Sequence, residues 1–98
     1  MQNEEKILIK KVALIKASRY RNSILFSIGY DIKTPSEISK EVNIRINHVS
    51  AVLKELKTEN LVKCLNEEKT KGRLYKLTNE GEKILSFIES NSKRNKKY

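Results

Sequence analysis

The sequence predicts a mainly α domain with one small β-hairpin, an α+β fold, on three observations. Thr34 to Leu61 holds two stretches of helical periodicity separated by a short turn-favouring segment. Two strand-like runs, Leu61-Val-Lys-Cys-Leu and Arg73-Leu-Tyr-Lys-Leu, flank a polar segment that ends in glycine. The stretches on either side carry apolar residues at three- and four-residue spacing. With 98 residues the chain makes one small domain, and at 38% apolar content its core is thin, so a second copy would bury more of it.

Residues 1–17 form the first unit. Glu4 and Glu5 favour a helix start through the dipole. Ile7, Leu8, Ile9, Val12, Leu14 and Ile15 supply a broad apolar face, while Lys6, Lys10, Lys11 and Lys16 stay wet. The β-branched content leaves a strand as the alternative. The main domain is expected over residues 18–90. Ser18 caps its first helix, with Tyr20, Ile24, Leu25 and Ile28 on one side and Arg19, Arg21 and Asn22 on the other. Gly29 ends that helix, and Tyr30 to Lys33 is an extended link able to form a minimal strand.

Thr34 then caps a second helix, Pro35 suits its first turn, and Glu37 closes a capping box. Ile38 and Val42 share one face, and Asn43 tolerates the left-handed conformation that a helix stop needs. A third helix follows near Ile46 to Thr58, its buried stripe made by Val49, Val52, Leu53 and Leu56. Its wet side carries Asn47, His48, Ser50, Ala51, Lys54 and Lys57, side chains able to enter a major groove and meet base edges. Helix, short turn, and a helix with one buried and one cationic face make a helix-turn-helix. Ile46, apolar at the helix start, either packs on the preceding helix or touches a thymine methyl.

Asn66 to Gly72 reads as the long loop of a hairpin, a wing. Lys69, Lys71 and Arg73 are placed to meet phosphate or minor groove, and Glu67 and Glu68 confine that contact to the later half of the loop. Thr78 caps the last helix, with Ile84, Leu85, Phe87 and Ile88 as its apolar face and an expected end near Ser90. Residues 91–98, NSKRNKKY, are expected to be a disordered basic tail, either solvating or binding phosphate non-specifically.

Twenty-one basic against twelve acidic residues leave a formal charge of +9, which calls for a polyanionic partner: nucleic acid first, an anionic membrane surface second. Cys64 is the single cysteine, so no internal disulfide or multi-cysteine metal cluster can form, and a reducing cytoplasm is the natural setting. No apolar run approaches the roughly 18 residues of a membrane span, and the acidic N-terminus is unlike a signal peptide. No Gly-rich phosphate loop, H-E-x-x-H motif or serine elbow occurs. A Cys-His pair would need His48 and Cys64, yet one lies on an outward helix face and the other shares a strand face with Val62 as a small apolar residue. Catalytic residues, metal, cofactor and small-molecule ligand are therefore not expected.

From about Ser18 to Leu85 the chain resembles the winged helix-turn-helix domains of ArsR- and MarR-type bacterial and archaeal transcription regulators. The resemblance rests on Thr34-Pro-Ser-Glu-Ile-Ser-Lys-Glu-Val, Ile44-Arg-Ile-Asn-His-Val-Ser, Leu53-Lys-Glu-Leu, Glu59-Asn-Leu-Val and Gly72-Arg-Leu-Tyr-Lys-Leu-Thr-Asn-Glu-Gly. Asn43 and Asn60 stand where such domains commonly have glycine, a departure that spares backbone geometry. The resemblance implies an N-terminal helix that builds a homodimer; packing on its own core is the alternative. Sensing members use paired thiols or histidine clusters, which this chain lacks. The expected function is sequence-specific binding of double-stranded DNA by a transcriptional regulator. Base contacts would come from Ile46, Asn47, His48, Ser50 and Ala51, and backbone contacts from Thr34, Ser36, Arg45, Lys54, Lys57, Lys69, Lys71 and Arg73. The competing class is a protein-interaction module or accessory subunit of a nucleic-acid machine with only non-specific affinity. RNA binding is weaker still, since no exposed aromatic platform is evident.

Overall fold

Three helices begin where a side chain receives their free amides. The Ser18 hydroxyl accepts from Arg21 N at 3.2 Å and opens α2, Arg19–Ile28. Thr34 and Glu37 form a reciprocal capping box at the head of α3, Pro35–Val42, with bonds of 3.1 and 2.9 Å. The Thr78 hydroxyl accepts from Gly81 N at 3.0 Å and starts α5, Asn79–Asn95. The computed structural model describes residues 3–95, and adds α1, Asn3–Lys16, and α4, Ile46–Thr58. The strands β1, Val62–Cys64, and β2, Tyr75–Leu77, pair antiparallel, with Val62 opposite Leu77 and Cys64 opposite Tyr75. The fold is the expected one: mostly helical, with a two-stranded hairpin.

The link before α3 joins the hairpin. Lys33 and Tyr75 exchange two backbone bonds of 3.0 and 2.8 Å, so a single residue supplies the minimal third strand. Nearby, the Glu41 carboxylate of α3 takes the Lys33 ammonium at 2.7 Å and the Ser27 hydroxyl of α2. Those two donors, Lys33 foremost, hold Glu41 below the usual carboxylate range.

One core runs through every element. Ile15, Ile24, Leu25, Ile28, Ile38, Val49, Leu53, Leu56, Leu61, Leu77, Ile84 and Leu85 are its most deeply buried members. Three expected apolar faces are narrower than their sequences suggested. In α1 only Val12 and Ile15 are buried, with Leu8 packed beside them; this i, i+4, i+7 row is all one neighbouring surface can cover, and Ile9 is left 61% exposed. Tyr20 of α2 and Phe87 of α5 are likewise exposed rather than core. Lys11, expected wet, instead donates to Glu59 O at 2.7 Å and to the Glu80 carboxylate at 3.3 Å, tying α1 to the end of α4 and the start of α5. The last helix runs on to Asn95, past the expected end near Ser90 and into the segment expected to be disordered; residues 96–98 of that tail lie outside the described part.

Both asparagines that replace glycine are left-handed, Asn43 at φ 57° and Asn60 at φ 63°. After α4 the stop is a Schellman arrangement: Leu61 N reaches Leu56 O at 2.8 Å, Asn60 N reaches Lys57 O at 2.9 Å, and buried Leu56 and Leu61 accompany it. At exposed Asn43 a β-branched residue would be strained by about 1–2 kcal/mol. Asn43→Val is expected to lower stability by that amount in urea denaturation, whereas an unchanged midpoint would show that the turn relaxes.

Candidate nucleic-acid interface

The turn from α3 into α4 is short and tightly held. Asn43 N donates to Ser39 O, Ile44 N bonds Ser39 O at 3.3 Å, and the Ser39 hydroxyl donates to Ile44 O at 2.5 Å. Ile44 is buried between the helices, so α4 leaves the turn at a defined angle. Val49, Val52, Leu53 and Leu56 face the core, and Asn47, His48, Ser50, Ala51, Lys54 and Lys57 are all exposed on the other side. Ile46 is 48% exposed and outside the core, which leaves its side chain at the rim of that outward face.

The electrostatics of this helix start are unusual within the molecule. Alone among α2 to α4, α4 has no side-chain cap; its N-cap is the exposed Arg45, and its first turn holds no acid. The first turns of α1, α3 and α5 each carry at least one acid. A cation on the positive end of a helix dipole is unfavourable by about 0.3–1 kcal/mol, and an approaching anion reverses the sign. Ser36, exposed in the first turn of α3, and Thr34, half-buried, stand at a second helix start. The Thr34 oxygen already receives Glu37 N as a cap.

The wing residues divide into two groups. Lys69 and Lys71 are exposed, and among the described residues neither they nor Lys54 enter an ion pair. Arg73, by contrast, braces the loop: its Nε donates to Lys69 O at 2.6 Å and its Nη2 to Glu67 O at 3.2 Å. Asn66 completes the brace, donating to Gly72 O at 3.2 Å and accepting from Leu74 N at 2.8 Å. Lys57 pairs with Glu67, joining the last turn of α4 to the wing. The hydrogen bond between them raises the Lys57 pKa and lowers that of Glu67. Of the residues expected at phosphates, then, Lys57 and Arg73 are engaged within the protein, while Arg45, Lys54, Lys69 and Lys71 are open to solvent.

One neighbour of the outward face was not foreseen. Tyr20 lies beside His48, with ring centroids 5.7 Å apart and planes inclined by 37°. Sequence separation gives no signal for this; α2 and α4 bring the rings together only by packing. Elsewhere, an open cleft of about 900 Å³ lies between the N-terminal half of α1 and the start of α5, lined by Leu8, Lys63, Thr78 and Glu80 among others, and contains none of the residues expected to contact DNA. No described group of three or more His, Cys, Asp or Glu could hold a metal, and no described helix is long and apolar enough to cross a membrane.

A turn-linked helix pair with an outward cationic face and a braced basic hairpin defines a winged helix-turn-helix protein. Residues 19–96 match the winged helix-turn-helix family model, and the chain belongs to that family. Solved structures agree. A protein from Porphyromonas gingivalis assigned to the MarR family of transcriptional regulators superposes with TM-score 0.71 at 28% identity, over 87% of this chain and 85% of its own. Reduced HlyU from Vibrio cholerae gives 0.70 at 22% identity, over 99% and 100%. A mutant of Lactococcus lactis ZitR gives 0.70 at 19% identity, over 79% of this chain and 53% of the ZitR chain. The comparison with curated proteins found no match. The fold is thus that of winged-helix DNA-binding transcription regulators.

Proposed function

We propose that the protein is a sequence-specific, double-stranded DNA-binding transcriptional regulator that acts as a homodimer in the cytoplasm. The observation that carries this reading is the outward face of α4: it opens on an uncapped, cationic turn and presents amide, imidazole, hydroxyl and ammonium groups with its aliphatic side fully buried. α4 lies in the major groove. Asn47, His48 and Ser50 read base edges, with Ala51 and Ile46 offering apolar contact to thymine methyls. Arg45, Lys54, Lys69 and Lys71, with Thr34 and Ser36 at the start of α3, fix register on phosphates. Lys57 and Arg73 act through the wing that they hold in place. Exposed Ile7 and Ile9 on α1 and Phe87 on α5 support a dimer, since these apolar side chains find no cover in the single chain. No catalytic residue, cofactor, metal or small-molecule ligand is part of the reading.

Selection of bound duplexes from a random pool, followed by gel shifts, tests it. Asn47→Ala should erode discrimination between selected and scrambled duplexes, losing about 1–3 kcal/mol on the selected site alone. Lys71→Ala should weaken both duplexes about equally. A pool that yields no preferred sequence would instead support an interaction module with general nucleic-acid affinity.

A further inference from the structure

We propose that Tyr20 is a positioning residue for the recognition surface: its ring holds the His48 imidazole in the orientation that α4 presents to a base edge. The inference rests on the DNA-binding reading above.

The two rings sit at 5.7 Å and 37°, inside the range of roughly 4.5–7 Å in which aromatic pairs attract beyond their burial. Neither belongs to the core, since Tyr20 is 41% exposed and His48 is exposed on the outward side of α4. The contact is therefore a surface feature next to the proposed base contacts Asn47 and Ser50. An exposed imidazole on an otherwise open helix face turns freely about two side-chain torsions, and binding DNA would freeze them. A ring alongside removes much of that freedom beforehand.

Tyr20 can do this because the turn that carries it is held through its neighbour Arg21 at three points. Ser18 caps the turn through Arg21 N at 3.2 Å. The Arg21 guanidinium donates to Leu14 O of α1 at 3.1 Å and to the Glu55 carboxylate of α4 at 3.0 Å. The residue next to Tyr20 thus ties α2 directly to the helix that carries His48. The contact is between the two rings, so the phenol hydroxyl is not needed for it; a phenol-to-phosphate bond would require that hydroxyl.

The test compares wild type, Tyr20→Phe, Tyr20→Ser, His48→Ala and the Tyr20→Ser/His48→Ala double variant on the selected duplex and on random duplex, alongside His48 ring-proton shifts of the free protein by NMR. Tyr20→Ser is expected to move those shifts and to lose about 2- to 10-fold on the selected duplex with random duplex unaffected. Tyr20→Phe should match wild type in both, and the double variant should bind no worse than His48→Ala. Unmoved His48 shifts, losses that simply add, or Phe behaving as Ser would overturn the role. If wild type selects no sequence, the DNA reading falls and this role with it. The NMR shifts, taken without DNA, still separate that outcome from a missing ring contact.

Discussion

Gly81→Ala is expected to destabilise the protein by about 2 kcal/mol or more, opposite in sign to its effect on an isolated helix. Gly81 lies in the first turn of α5, where replacing glycine by alanine ordinarily stabilises by about 1 kcal/mol. Here a Cβ would stand 2.1 Å from Leu61 O, 3.1 Å from Leu61 C and 3.3 Å from the Leu77 Cβ. Two of those atoms are backbone, so no rotamer change relieves the clash and α5 must shift bodily. Thr78 resists that shift, since its N donates to Leu61 O at 3.0 Å and its hydroxyl to Asn60 O at 2.7 Å. Overpacking of this kind costs about 1–3 kcal/mol and occasionally more, and the immovable partner puts it at or above the upper end. At about 4–8 °C per kcal/mol for a domain of this size, the melting temperature should fall by roughly 10 °C or more. Gly72→Ala is the control: its Cβ meets nothing, and only its φ of 69° carries a penalty, about 1 kcal/mol. A melting temperature for Gly81→Ala at or above wild type would mean that α5 does not approach Leu61 this closely.

Replacing Lys54, Lys69 and Lys71 together by alanine should flatten the salt dependence of DNA binding. Each phosphate contact contributes about 0.9 to the slope of log affinity against log salt, so three contacts are worth about 2.7 units for each protomer on its half-site. Near 0.1 M salt that corresponds to a loss of about two to three orders of magnitude per half-site. The three side chains are exposed, so stability should stay within about 0.5 kcal/mol of wild type. The ranking of duplex sequences should survive, because base contacts are untouched. Fluorescence anisotropy across a salt series reads both quantities. A slope identical to wild type would remove these lysines from the proposed interface.

Much of the architecture was legible because its signals are local. The Thr34-Pro35-Glu37 start, the stop at Asn43 and the stripe from Val49 to Leu56 each depend on residues within a turn or two of one another. The strands and the turn chemistry of Asn60 follow for the same reason. The misplaced residues are those whose fate is set at long range. Tyr20, Ile7, Ile9 and Phe87 are apolar at helical spacing, yet a helix buries only the row its neighbours reach. Lys11, Lys57 and Arg73 read as free cations; Lys11 and Lys57 instead meet oxygens brought to them by another element, and Arg73 meets carbonyls of its own folded loop. Gly81 ends a family-like stretch, but no local signal showed its role, which is to leave room for a carbonyl twenty residues earlier.

The sequence by itself determined the helix boundaries at the turn, the hairpin and the division of α4 into an aliphatic and a cationic side, because capping, periodicity and left-handed turns act between near neighbours. Only the tertiary structure decided which cations stay open to solvent, which brace the wing, and that Tyr20 stands against His48. The ring contact turns on the distance between segments far apart in the chain, which packing sets, and the bracing of the wing on how its loop folds back on itself, which residue spacing does not give.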